Sequence, residues 1–226
     1  MYKKVYVVML VAVLTASYAQ AQITIGARAG FSLTSMSEKY DGKKLDNEDI
    51  ITMVKPGFQI GITGDYALTD AFSVQSGLLI AMQGCRKDIT FEGYYLMLPS
   101  YDEKLTMSIT YLQIPVNAMY LISMGEKKLL FQAGPYLGFA FGGKMKSKVN
   151  SQYYGERTEE EKIEFGSDED KMKRLDAGLA LGTGLQFGRL RAGVGYSFGL
   201  MNLSNVDKVS LKNNAFTLSL TYMFGL

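Results

Sequence analysis

The 226-residue sequence contains no histidine, no tryptophan and a single cysteine, Cys85. Without histidine, the usual zinc sites and all imidazole acid–base chemistry are excluded. One cysteine cannot close an internal disulfide. Long apolar runs are scarce as well: the only one, from Val5 to about Ala16, falls short of the ~20 residues a helix needs to span a bilayer. An excess of one charge sign is also missing, with 24 Lys and Arg against 22 Asp and Glu. A chain so balanced offers no electrostatic case for nucleic acid.

That apolar run follows Lys3 and Lys4 and precedes Ala19-Gln20-Ala21, a small-x-small cleavage site. The pattern predicts a secretory signal peptide over residues 1–21 and a mature domain over 22–226. Loss of the two lysines takes the formal charge from +2 to zero. No cysteine follows the cleavage site to carry a lipid anchor. If the mature chain enters a membrane it must do so as a closed barrel, because lipid cannot satisfy an open sheet edge.

What the chain has is alternation. Eight segments, near 23–33, 57–68, 72–84, 110–122, 129–142, 175–187, 189–201 and 214–225, place an apolar residue at every second position. Phe58, Ile60, Ile62, Tyr66 and Leu68 share one face of the second, and Leu112, Ile114, Val116, Ala118, Tyr120 and Ile122 one face of the fourth. Long connections at 34–56, 85–109, 143–174 and 202–213 alternate with short ones at 69–71, 123–128 and 188. The expectation is an all-β, eight-stranded, antiparallel, up-and-down transmembrane barrel with long loops outside, tight turns in the periplasm and both termini periplasmic.

Charge parity sharpens it. Arg28, Asp65, Asp176 and Arg191 all take the parity opposite to the apolar set, as they must if that set meets lipid, where Arg or Lys costs about 2–4 kcal/mol at the midplane. Gly26, Gly61, Gly77, Gly134, Gly178 and Gly193 share that inward parity and suit a lumen with room for little beyond side chains. Outward aromatics gather near both strand ends as two interfacial belts, whereas Tyr136 has inward parity. A soluble lipocalin-type barrel would need the reverse, with the four charges outside and the aromatics crowded within.

Tyr111-Leu112-Gln113-Ile114-Pro115 resembles the Tyr-Leu-Glu-Ile-Pro-like strand of the PorT-like outer-membrane β-barrels, with Gln113 in place of the acid. Gly134-Pro135-Tyr136-Leu137-Gly138, the segment Asp176 to Gly184, and Gly199 to Leu203 are similar to later strands of that family. The resemblance covers nearly all of the mature chain. It implies an integral outer-membrane protein without catalytic residues or cofactor, in a family some of whose members serve protein secretion.

The barrel proteases, phospholipases and acyltransferases rely on a histidine this chain lacks. Asp65 and Asp176 fall near opposite barrel ends, too far apart for paired-carboxylate glycoside hydrolysis. The four inward charges read as a buried ionic network plugging the lumen, with Arg28 and Asp65, on neighbouring strands, as the preferred pair. Glu159-Glu160-Glu161 and Asp168-Glu169-Asp170, flanked by basic residues, read as a solvated, mobile loop. Its functional reading gives Lys171 and Lys173 to lipopolysaccharide phosphates. Tyr94, Tyr95, Leu96, Met97, Leu98 and Tyr101 form an apolar stretch that reads as a contact surface or a flap over the barrel mouth.

The expected role is that of a monomeric, non-enzymatic binding, adhesion or envelope-structural module. Its partners are outer-membrane lipid, lipopolysaccharide and envelope proteins. The rival roles are an accessory part of a secretion machinery, which rests on the resemblance, and a small-solute channel.

Overall fold

The computed structural model describes residues 23–44, 50–91, 101–151, 155–169 and 171–224. The expected signal peptide and Tyr94 to Leu98 lie outside them. Among the described residues the chain forms one sheet of eleven strands. They are β1 (Ile23–Tyr40), β2 (Lys43–Lys44), β3 (Ile50–Met53), β4 (Lys55–Ala67), β5 (Phe72–Phe91), β6 (Tyr101–Met124), β7 (Lys127–Ser151), β8 (Gly155–Lys162), β9 (Leu175–Phe187), β10 (Leu190–Gly199) and β11 (Val209–Phe224). Eight of them form the ring β1-β4-β5-β6-β7-β9-β10-β11, antiparallel throughout, and β11 closes it on β1 from Ile25↔Phe224 to Tyr40↔Val209.

The alternation in sequence becomes the two faces of the wall. On β4, Phe58, Ile60 and Ile62 are exposed, while Gln59 and Thr63 on the opposite face are buried. The same contrast runs around the ring, so that Ile60 is 54% exposed and Asp176 only 1%. A continuous apolar surface of this extent does not suit water, and it matches the lipid-facing band of a transmembrane barrel. The described residues hold no helix long and apolar enough to cross a membrane; strands make the crossing.

At one end the ring strands are joined by tight turns. Gly125 and Gly188 take positive φ values of 66° and 54° as first residues of two-residue connections, the place where a hairpin turn asks for glycine. The start of β1 and the end of β11 lie at this same end. Inside, Gly134 stands where a Cβ would come within 2.0 Å of the Val116 carbonyl oxygen. Small inward residues are therefore required by the close approach of neighbouring strands.

At the other end the strands are much longer than expected. β6 has 24 residues and β7 has 25, so β6 alone rises ~80 Å, whereas a tilted barrel strand crosses in about ten residues. Most of the stretches read as loops at 85–109 and 143–174 are instead paired sheet, in the order β3-β5-β6-β7-β8. The reason is that β6 and β7 continue to satisfy each other's backbone groups after the lipid face ends. A register shift between Thr110 and Tyr111 leaves Phe141 as the extra residue where this raised sheet departs from the ring, a bulge of the kind that bends a strand. The edge strand β8, Gly-Glu-Arg-Thr-Glu-Glu-Glu-Lys, is exposed along its whole length. Its charges discourage further strands from adding to it.

Candidate functional site

The lumen and the raised sheet hold the residues with chemistry to offer. At the turn end, Arg191 donates from Nη2 to Asp65 Oδ2 at 2.7 Å and to Gln186 Oε1 at 2.9 Å. Gln75 Nε2 donates to Asp65 Oδ1 at 2.7 Å, and Gln186 Nε2 donates to the Gly188 carbonyl at 3.1 Å. Both charged side chains are at least nine-tenths buried. Facing the turns lies a cavity of 470 Å³ whose lining includes Thr24, Asp70, Ser73 and Lys128.

The ion pair is not the one expected. Sheet register sets Asp65 opposite Thr24, whereas Arg28 stands opposite Gly61, four residues along the strand. Asp65 therefore reaches across the lumen to β10 instead of along the wall to β1. Arg28 faces inward as its parity requires, and its Nη2 donates to Ser219 Oγ at 3.3 Å.

Asp176 belongs to a separate network nearer the raised sheet. Asn213 Nδ2 donates to Asp176 Oδ2 at 2.9 Å and to Tyr111 Oη at 3.1 Å, and Tyr136 Oη donates to Asp176 Oδ2 at 3.4 Å. The inward parity of Tyr136 is thus explained by a hydrogen bond to a buried carboxylate. Among the described residues no cluster of His, Cys, Asp or Glu is arranged to hold a metal ion.

Beyond Asp176 the barrel mouth is filled by an apolar core that sequence reasoning missed. Met36, Ile109, Tyr111 and Leu203 are buried together, with Phe165 and Met172 packed against them. Leu203 comes from the connection between β10 and β11, and Phe165 and Met172 from that between β8 and β9. Asn205 ties the two connections by donating from Nδ2 to the carbonyls of Gly166 at 2.8 Å and Lys171 at 3.0 Å. Lys173 N donates to the Leu203 carbonyl at 2.9 Å.

Lys171 and Lys173 are therefore part of the segment that covers the mouth, both half-buried. Lys171 Nζ donates to Asp168 Oδ2 at 2.6 Å. Beside them the Arg174 guanidinium lies 5.9 Å from the Phe139 ring and 5.4 Å from that of Phe165. Glu159, Glu160 and Glu161, expected in a mobile loop, instead sit on β8 opposite β7. Lys144 pairs there with Glu160 at 3.1 Å and Lys148 with Glu156 at 2.7 Å. Alternating lysines on β7 met by acids on β8 make this stretch a cross-strand charge ladder. Tyr101 opens β6.

A family profile described as "Outer membrane protein beta-barrel domain" matches residues 18–205. No curated protein matches the chain by sequence. Among solved structures, Ail, the attachment invasion locus protein of Yersinia pestis, is 20% identical, with a TM-score of 0.35 and coverage of 90% of this chain and 99% of that one. OprG of Pseudomonas aeruginosa is 16% identical, with a TM-score of 0.44 and coverage of 91% and 98%. Neisserial surface protein A is 13% identical, with a TM-score of 0.38 and coverage of 90% and 99%.

Proposed function

We propose, for a chain that belongs to the outer membrane protein beta-barrel domain family and so resides in a Gram-negative outer membrane, that it is a non-enzymatic binding, adhesion or envelope-structural module acting through its raised sheet. The observation that carries this reading is the continuation of β5, β6 and β7 far beyond the lipid-facing band into a sheet edged by β3 and β8. A rigid scaffold that lifts a charged surface away from the membrane is suited to recognition. With the short turns in the periplasm, the raised sheet is extracellular, the termini are periplasmic and residues 1–21 are the export signal. In this reading Lys171, Lys173 and Arg174, at the rim, meet lipopolysaccharide phosphates. A lumen sealed by an apolar mouth favours this role over a small-solute channel.

The test is a variant in which residues 149–157 are replaced by Asn-Gly, which shortens the β7–β8 hairpin and leaves the ring intact. The native barrel, cross-linked in intact outer membranes, is expected to show contacts that the shortened variant loses, and on immobilised lipopolysaccharide it is expected to be retained more strongly than a Lys173→Glu, Arg174→Glu variant. Identical profiles from two equally folded proteins, or steady ion conductance of the native barrel in planar bilayers, would refute the proposal. The resemblance of Tyr111 to Pro115 to the PorT-like barrels supports a second reading, an accessory part of a secretion machinery. Recovery of the barrel in a fixed-stoichiometry envelope complex would favour it.

A further inference from the structure

Two guanidiniums and one carboxylate meet in the turn-end half of the lumen. Arg28 on β1 and Arg191 on β10 both stand opposite Thr221 of β11, so they occupy one row of the wall with a single strand between them. Asp65 is fully engaged, one oxygen by Arg191 and the other by Gln75. Arg28 has no carboxylate within ion-pair distance among the described residues; it keeps one bond to Ser219, and its Nε is buried without a partner. Arg28 is half-buried, and a cation drawn even partly out of water without a counter-charge is unfavourable.

Arg28 lines a chamber of about 60 Å³ together with Gln59, Gln113, Asn117, Gln132 and Tyr136. The four amide side chains make no hydrogen bond to other protein groups among the described residues, and Asn117 Oδ1 is buried without a partner. The volume exceeds the roughly 15 Å³ needed for one water and is far too small for a sugar or a lipid headgroup. Each amide brings two N–H donors and the guanidinium five, and no Asp or Glu lines the space. The wall therefore has more donors than acceptors, the N–H groups of four amides and a guanidinium against four amide oxygens, and its one formal charge is positive.

We propose that this chamber binds a small inorganic anion of halide size, which serves as the counter-charge of Arg28. The chamber lies between the Asp65–Arg191 network and the Tyr136–Asp176 bond, so the anion sits within the lumen. Water alone would satisfy the amides and leave the guanidinium uncompensated.

The test refolds the full barrel into detergent in bromide, chloride or gluconate, the last too large for the chamber. Crystals grown in bromide are expected to show an anomalous peak within hydrogen-bond distance of the Arg28 guanidinium. The temperature at which the barrel loses its folded mobility on a gel is expected to be several degrees higher in either halide than in gluconate. Arg28→Gln removes that difference. Gln59→Glu, whose carboxylate on β4 faces Gly30, two residues from Arg28, supplies an internal counter-charge and also removes it, even if Arg28→Gln fails to fold. Equal stability of the native barrel in all three salts, water without bromide in the chamber, or a halide dependence unchanged by Gln59→Glu would each overturn the proposal.

Discussion

At the turn end the lumen is closed by charge, through Asp65, Arg191, Gln75 and Gln186; at the opposite end it is closed by apolar packing around Leu203, Ile109 and Tyr111. The first closure is built from side chains of the ring strands themselves, each fixed in height by register and in direction by parity. The second needs the connections as well: Leu203, Phe165 and Met172 fold back onto Met36, Ile109 and Tyr111 of the ring strands, and no alternation guides those three into place. The polar closure therefore owes its geometry to the wall alone, whereas the apolar closure is completed by segments the wall does not specify. The two should fail differently.

The largest effect is expected at the polar end. Asp65→Ala leaves Arg191 buried without its counter-ion, and breaking such a pair costs about 4 kcal/mol. The folded form should lose its resistance to heat and SDS at a clearly lower temperature. Asp65→Leu combined with Arg191→Leu, which removes both charges, should restore most of the loss, because a buried pair is often matched by apolar residues of similar volume. If the double variant were as weak as the single one, the pair would be more than a mutual neutralisation, and the contrast between the two ends would lose its basis.

At the apolar end Leu203→Ala should cost about 3 kcal/mol, the usual sum of lost transfer energy and an unfilled cavity in a buried leucine site. The damage should stay local. Exchange of the amides of Leu203 and Lys173, which bond to the carbonyls of Leu211 and Leu203, should rise, while protection across β1 and β11 should hold. A uniform loss of protection around the ring would mean that the mouth and the wall form one cooperative unit.

The same contrast explains what could be read from the sequence. Strand period, charge parity and the glycine positions all follow from a wall between lipid and a narrow interior, so the ring and the inward direction of Arg28, Asp65, Asp176 and Arg191 were legible. Which of them would pair was not, because pairing depends on register and on reach across the lumen, and neither leaves a periodic trace. Gln75 and Gln186 had the right parity beside Asp65 and Arg191, and that was the available signal. Asn213 fell just before the expected start of the last strand, outside any face that parity could assign. The raised sheet was hidden for another reason: outside lipid both faces are polar, so the alternation that marks a strand disappears from Lys144 to Lys148 and from Glu156 to Lys162, although backbone pairing continues.

The smallest effect belongs to that ladder. Lys144 and Glu160 form an ion pair at 3.1 Å with both side chains more than half exposed, and an exposed pair of this kind contributes less than about 1 kcal/mol. Lys144→Ala should leave the unfolding temperature of the barrel nearly unchanged at physiological salt. Reversing a whole edge tests something different. Glu159, Glu160 and Glu161 changed together to Lys place a like charge directly opposite Lys146 and diagonal to Lys144 and Lys148, with further positive charge opposite Met145 and Ser147, and cross-strand repulsion should then release β8 while the ring stays folded. Rapid exchange confined to β8 and the outer end of β7, against full protection of β1 and β11, would show that the raised sheet draws its order from side-chain pairing at its edge. Retained protection of β8 would show that backbone pairing with β7 alone is sufficient to hold the edge in place.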